Sequence, residues 1–145
     1  MARYTAEVHT PRPIEQAFAY LSDFSTTEEW DPGTSHAARL DAGPIRQGTR
    51  FKLRARFLSR ESDLVSEITE LESPRRVVLR GENAAVVSLD EMTFEPADNG
   101  GTRISYDARL SFKGPLGLAD PLLAFAFRRV GDRALVGMRA ALGAA

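Results

Sequence analysis

The amino-acid sequence predicts an α+β domain: a curved antiparallel sheet of about seven strands wrapped around one long C-terminal helix, with two short helices after the first strand. Three observations carry this. Between residues 34 and 112 apolar side chains recur at every second position in short runs split by turn residues, the signature of half-buried strands with hairpin-sized connections. From Asp120 to Leu142 the period changes to that of a helix, gathering Leu123, Ala126, Phe127, Val130, Ala134, Gly137, Met138 and Ala141 on one face opposite Arg128, Asp132 and Arg139. Helical and strand patterns are also segregated along the chain. A twisted sheet with one apolar face must cover it, and only the last helix, roughly 33 Å long at 1.5 Å per residue, is long enough to do so.

The first strand is read over Arg3 to His9, where Tyr4, Ala6 and Val8 alternate with Thr5, Glu7 and His9. Thr10-Pro11-Arg12-Pro13 breaks it, and Ile14, Ala17, Phe18 and Leu21 then recur at helical spacing until Ser22-Asp23. Thr26 and Glu29 stand three apart like a capping box for a second short helix, which Trp30-Asp31-Pro32-Gly33 ends because a residue before proline is pushed out of the helical region. Strands follow at Thr34 to Leu40, around Phe51 to Phe57, around Leu64 to Ile68, at Val77 to Arg80, at Val86 to Pro96 and around Ile104 to Phe112. In the clearest of these Phe51, Leu53, Ala55 and Phe57 point one way and Lys52, Arg54 and Arg56 the other. Asp98-Asn99-Gly100-Gly101 reads as a hairpin turn, and Gly114-Pro115-Leu116-Gly117 leads into the long helix. Asp120 is its expected cap, Pro121 its first residue and Gly143 its stop.

Composition narrows the function. A chain of 145 residues fits one domain, and 19 basic against 20 acidic side chains, a net charge of -1, give no general reason to bind nucleic acid or anionic membranes. With no cysteine, disulfides, thiolate catalysis and Cys-ligated metals are excluded. Two histidines, His9 and His36, and no HExxH motif argue against a metal site, and no dinucleotide-binding fingerprint, P-loop or GxSxG motif is present, so no cofactor is expected. The N-terminus has no signal-peptide pattern and no apolar run reaches membrane-spanning length, so the sequence predicts a cytoplasmic protein without stable membrane insertion.

Over essentially its whole length this order of elements resembles the helix-grip fold of the START-like (SRPBCC) superfamily, in its polyketide cyclase/dehydrase and lipid-transport branch. The resemblance rests on Val8-His9-Thr10-Pro11 through Ala17 to Asp23, on Glu29-Trp30-Asp31-Pro32-Gly33, on Gly48-Thr49-Arg50-Phe51, and on Gly101 to Tyr106, taken in that order and spacing. It implies an elongated cavity between sheet and helix that takes an apolar or aromatic small molecule. It implies no fixed set of catalytic residues, so function must come from the site.

The inward columns and the helix face predict a lining of Trp30, His36, Phe51, Leu53, Phe57, Leu64, Ser66, Asp90, Met92, Tyr106, Ala108, Phe127 and Val130. Three of these are candidates for chemistry. His36, in phase with Ala38 and Leu40, suits a general base, or else is a strand-end histidine satisfied by solvent. Asp90, in phase with Met92 and Phe94, would have its pKa raised by desolvation if it faces inward, whereas one bulge would turn it out. Tyr106 can hold a ligand oxygen or simply pack. Trp30 either closes the cavity mouth or pins the small helices. The helix arginines Arg128, Arg129, Arg133 and Arg139 read as a solvated face, with Arg128 and Asp132 spaced for an ion pair. Phe125, Val136 and Ala140 gather on the outward side, either as scattered exposed residues or as a weak homodimer contact, so monomer and weak homodimer both remain open. Three functions follow: binding of a hydrophobic ligand as the leading reading, a cyclase or dehydratase using the same cavity, and a protein-interaction module with a vestigial cavity.

Overall fold

The computed structural model describes residues 2–57, 59–114 and 121–143. Strand β1 (Ala2–Thr10) is followed by helix α1 (Ile14–Ser22), a 3₁₀ turn (Phe24–Thr26) and helix α2 (Thr27–Trp30). Strands β2 (Thr34–Arg39), β3 (Arg50–Phe57), β4 (Arg60–Glu72), β5 (Arg76–Glu82), β6 (Val86–Pro96) and β7 (Thr102–Phe112) then precede helix α3 (Pro121–Ala141). The seven strands form one sheet in the order β1-β7-β6-β5-β4-β3-β2, antiparallel at every pairing. Curvature shows in the side chains: Phe57 on β3 and Phe112 on β7 are separated by three strands in that order, yet their ring centroids lie 6.0 Å apart.

Helix α3 lies in the hollow of this curl, and two glycines set its closeness. A Cβ on Gly131 would fall 2.6 Å from the Tyr4 ring, and one on Gly137 would fall 1.7 Å from the Trp30 carbonyl oxygen. Any larger residue at 137 would push the helix away from α2. At its far end the Leu142 carbonyl accepts from Thr10 Oγ1 at 2.7 Å and from Arg12 Nε at 3.3 Å, so the end of β1 satisfies a carbonyl that helix geometry leaves without a partner. The proposed Asp120 cap and the Pro115-Leu116-Gly117 lead-in lie outside the described residues.

Two local expectations are corrected. Thr26 does not cap α2: it is still helical, with φ -77 and ψ -11, and its hydroxyl turns back to the carbonyls of Tyr20 and Asp23, while Glu29 accepts from Tyr20. Asp23 caps the preceding 3₁₀ turn, accepting from Ser25 N at 3.1 Å, and no side chain caps α2. Arg128 and Asp132 do not pair, because the Asp132 carboxylate accepts from Tyr4 Oη at 2.8 Å across to β1. On the outward side of α3 Phe125 and Val136 are exposed, and the Arg129 guanidinium sits 5.9 Å from the Phe125 ring centre.

Candidate functional site

Side chains on the concave face fall into two groups. At the end covered by the short helices and the last turns of α3, Val8, Phe18, Phe24, Trp30, Phe51, Ile68, Met92, Ile104, Met138 and Leu142 pack into a closed core. Edge-to-face ring pairs, Phe18 with Phe94 at 5.1 Å and Phe24 with Phe51 at 5.7 Å, tie the helices to the sheet there. Toward the other end the sheet and α3 diverge and leave a cavity of about 860 Å³. Its walls include Leu53, Phe57, Leu64, Leu79, Val86, Ala108, Leu110 and Phe112 from the sheet and Leu123, Phe127, Val130 and Ala134 from the helix. The exposed residues Arg56, Arg60, Glu61 and Lys113 also border it and mark where it meets solvent. Of these, Arg56 pairs with Glu61 at 2.9 Å and Lys113 with Glu82 at 2.6 Å.

Polar groups in this apolar space are few. Strand β6 pairs with β5 and β7 without a register shift, so Asp90 stands inward, opposite Leu79 on one side and Ala108 on the other, with Tyr106 diagonal to it. Asp90 is enclosed by protein while keeping surface toward the cavity, and burial is the first cause that pushes its carboxyl up to about 7. The nearby Asp31 charge adds to that rise and the Tyr106 hydroxyl opposes it. Burial, and then the Asp90 charge, hold the Tyr106 phenol well above its ordinary value. Asp31, at the exit of α2, borders the same space and is also raised by burial. Its oxygens accept from Gly33 N at 2.8 Å and Thr34 Oγ1 at 3.1 Å, bonds that favour the carboxylate and hold the turn into β2. Tyr4 completes the polar edge, its phenol pushed up to about 12 by burial and by the bond it donates to Asp132.

Of the residues expected at the site, Leu53, Phe57, Leu64, Ser66, Asp90, Tyr106, Ala108, Phe127 and Val130 border the cavity. Four do not. His36 is exposed on the convex side, opposite Arg54 and 3.9 Å from Glu28, because the ladder shifts between Thr34 and His36. Had the pairing of Thr34 with Ala55 continued unbroken, His36 would oppose Leu53 and face inward; the extra residue reverses it. Phe51 and Met92 face inward but are spent on the closed core, with exposures of 0% and 1%. Trp30 is buried where α2 meets α3, lining no part of the main cavity, and its indole N–H has no partner among the described residues. Sequence reasoning passed over Tyr4, Asp31 and Ser88. Alternation signals Tyr4 and Ser88, each in phase with an inward neighbour, whereas Asp31 sits in a turn where no period applies. Among the described residues no group of three or more His, Cys, Asp or Glu side chains is arranged to hold a metal, and no helix is long and apolar enough to cross a membrane.

Comparison with known proteins decides the family. The profile described as polyketide cyclase / dehydrase and lipid transport matches residues 1–143. The chain belongs to that family. Among solved structures this polyketide cyclase/dehydrase-family chain is similar to a START superfamily protein from Mycobacterium smegmatis, with a TM-score of 0.82 at 10% identity over 99% of this chain and 98% of the other. It is similar to the protein TTHA0849 from Thermus thermophilus, with a TM-score of 0.79 at 16% identity over 97% and 96% of the two chains. The ZhuI aromatase/cyclase from Streptomyces sp. R1128 superposes with a TM-score of 0.76 at 16% identity over 97% and 91%. At such identities the likeness is one of fold, here the START-like helix grip. No curated protein matches the sequence.

Proposed function

We propose that this protein binds a hydrophobic or aromatic small molecule, lipid-like or polyketide-like, in the cavity between sheet and α3. The observation that carries the reading is the cavity itself, about 860 Å³ with mostly apolar walls. Small-molecule sites run from roughly 300 to 1,000 Å³ and combine such walls with a few convergent polar groups. Each Å² of apolar wall covered by a ligand contributes about 25 cal/mol. The family description supports the same class of ligand. Native mass spectrometry of freshly purified protein tests it: the expected spectrum carries a small-molecule adduct that denaturation removes. A bare protein that also fails to bind naphthalene-type probes would overturn the proposal.

A second reading is favoured by one observation, the placement of Asp90 beside Tyr106 within this cavity. A carboxyl that titrates near neutrality both takes and returns protons. In a cyclase or dehydratase role the Asp90 carboxylate would remove a proton from the carbon next to a ligand carbonyl, and the carbanion would form a bond to a second carbonyl carbon. Protonated Asp90 would return that proton to the alkoxide so formed; the regenerated carboxylate would then take the second proton from the same carbon, whose electron pair forms the C=C bond as the hydroxyl leaves with that proton as water. Tyr106 would donate a hydrogen bond to the carbonyl oxygen on which charge develops. With the cavity holding both reacting carbons close, orientation supplies much of the acceleration. The aromatase/cyclase name of the Streptomyces relative agrees with this role.

A further inference from the structure

The concave face carries a second polar position that neither the closed core nor the Asp90–Tyr106 pair uses. Ser66 on β4, Gly81 on β5 and Ser88 on β6 lie directly opposite one another across three strands, in the row next to the one that holds Asp90. Ser66 and Ser88 border the cavity, and the Ser66 side chain is otherwise buried at 1% exposure. Both place a hydroxyl in a wall that is otherwise mostly apolar. A Cβ on Gly81 would lie 2.6 Å from Ser66 Oγ and 2.7 Å from Ser88 Oγ. The two oxygens therefore lean from both sides over a place where the sheet has no side chain.

Building on the ligand-binding reading above, we infer that Ser66 and Ser88, with the gap over Gly81 between them, form an oxygen-binding position in the cavity floor that selects a ligand bearing two oxygen functions. The second oxygen belongs at Asp90 and Tyr106. Ser88 and Asp90 are two residues apart on one strand, so the two oxygens are separated by about 7 Å at 3.4 Å per residue. A flat apolar molecule with a hydroxyl or carbonyl at each end meets both positions at once, while one oxygen alone fills only one of them. Two hydroxyls suit this task because each donates or accepts as the ligand requires.

The test uses naphthalene, 2-naphthol and 2,7-dihydroxynaphthalene, whose two oxygens have about the required separation, titrated by fluorescence into the intact protein. Expected is a preference of about fivefold for the diol over 2-naphthol, the size of one net hydrogen bond. The double variant Ser66→Ala with Ser88→Ala should lose that preference while still binding 2-naphthol. Gly81→Ala, whose methyl group displaces both hydroxyls, should lose it too, with thermal unfolding confirming that each variant is folded. A diol preference that survives in the double variant, or is absent from the unaltered protein while 2-naphthol binds, overturns the serine position and leaves the cavity reading standing. Failure of all three probes to bind overturns both.

Discussion

The two halves of the concave face are made from the same strands with the same alternation, yet one is solid and the other hollow. Phe51 and Leu53 are two residues apart on β3 and both point inward; the first is fully buried against Phe24, the second borders the cavity. Helix α3 divides likewise, Met138 and Leu142 packing into the core while Phe127 and Val130 face the void. What separates the halves is the cover. The short helices fill one end, and Gly137 lets α3 sit directly on the Trp30 carbonyl there, whereas nothing of similar bulk among the described residues fills the other end. Inward orientation is thus a property of the strand, but being a core residue or a site residue is a property of what stands opposite.

The largest expected effect comes from removing a side chain on each side of that boundary. Ile68→Ala in the closed half should cost about 3–4 kcal/mol, since the lost burial is compounded by a cavity that cannot collapse. Leu53→Ala should cost no more than about 1.5 kcal/mol, because Leu53 already faces a void. Urea denaturation of the two variants checks this, and equal losses would erase the distinction between the halves.

Next in size is the charge kept in the hollow half. Asp90 has a folded-state pKa of about 7 against an ordinary value of 3.8, so the folded protein binds the proton more tightly than the unfolded chain does. The penalty is absent below the unfolded value, grows as pH rises through the interval and is complete above about 7. Asp90→Asn should therefore stabilise the protein by about 2–4 kcal/mol at pH 8 and by little at pH 4. Asp41, Glu61, Glu70, Glu82 and Asp107, each lowered chiefly by an arginine or lysine partner, pull the other way in acid, so the native-minus-variant difference is the quantity to measure.

Gly137→Ala should destabilise by about 1–3 kcal/mol, as its methyl group meets a backbone carbonyl that cannot swing aside. The smallest effect on stability belongs to Phe127→Ala, less than about 1 kcal/mol, together with at least tenfold weaker binding of a naphthalene probe. A large stability loss there would mean that Phe127 is core after all.

Strand periodicity and the long helical period made the architecture legible because both are direct consequences of where one apolar face must go. The same reasoning carried Asp90 and Tyr106 to the inner face, since no register shift interrupts β6 or β7. It misplaced His36, because the irregularity between Thr34 and His36 leaves no mark in a run of small residues. Phe51 and Met92 are apolar and inward, and Trp30 stands beside the turn into β2 where it could close a mouth; only the packing of α1, α2 and the end of α3 assigns all three to the core. Ser88 and Tyr4 lay in the right phase and needed only the observation that the face in front of them is empty.

The most direct test of a half-hollow grip is a methyl-resolved NMR titration with 2-naphthol. Shift changes should concentrate on Leu53, Leu64, Leu79, Val86 and Val130, which border the cavity, and leave Ile68, Val77 and Met138 almost unmoved. Shifts centred on Ile68 and Met138, or confined to exposed residues such as Val65 and Val136, would contradict the account.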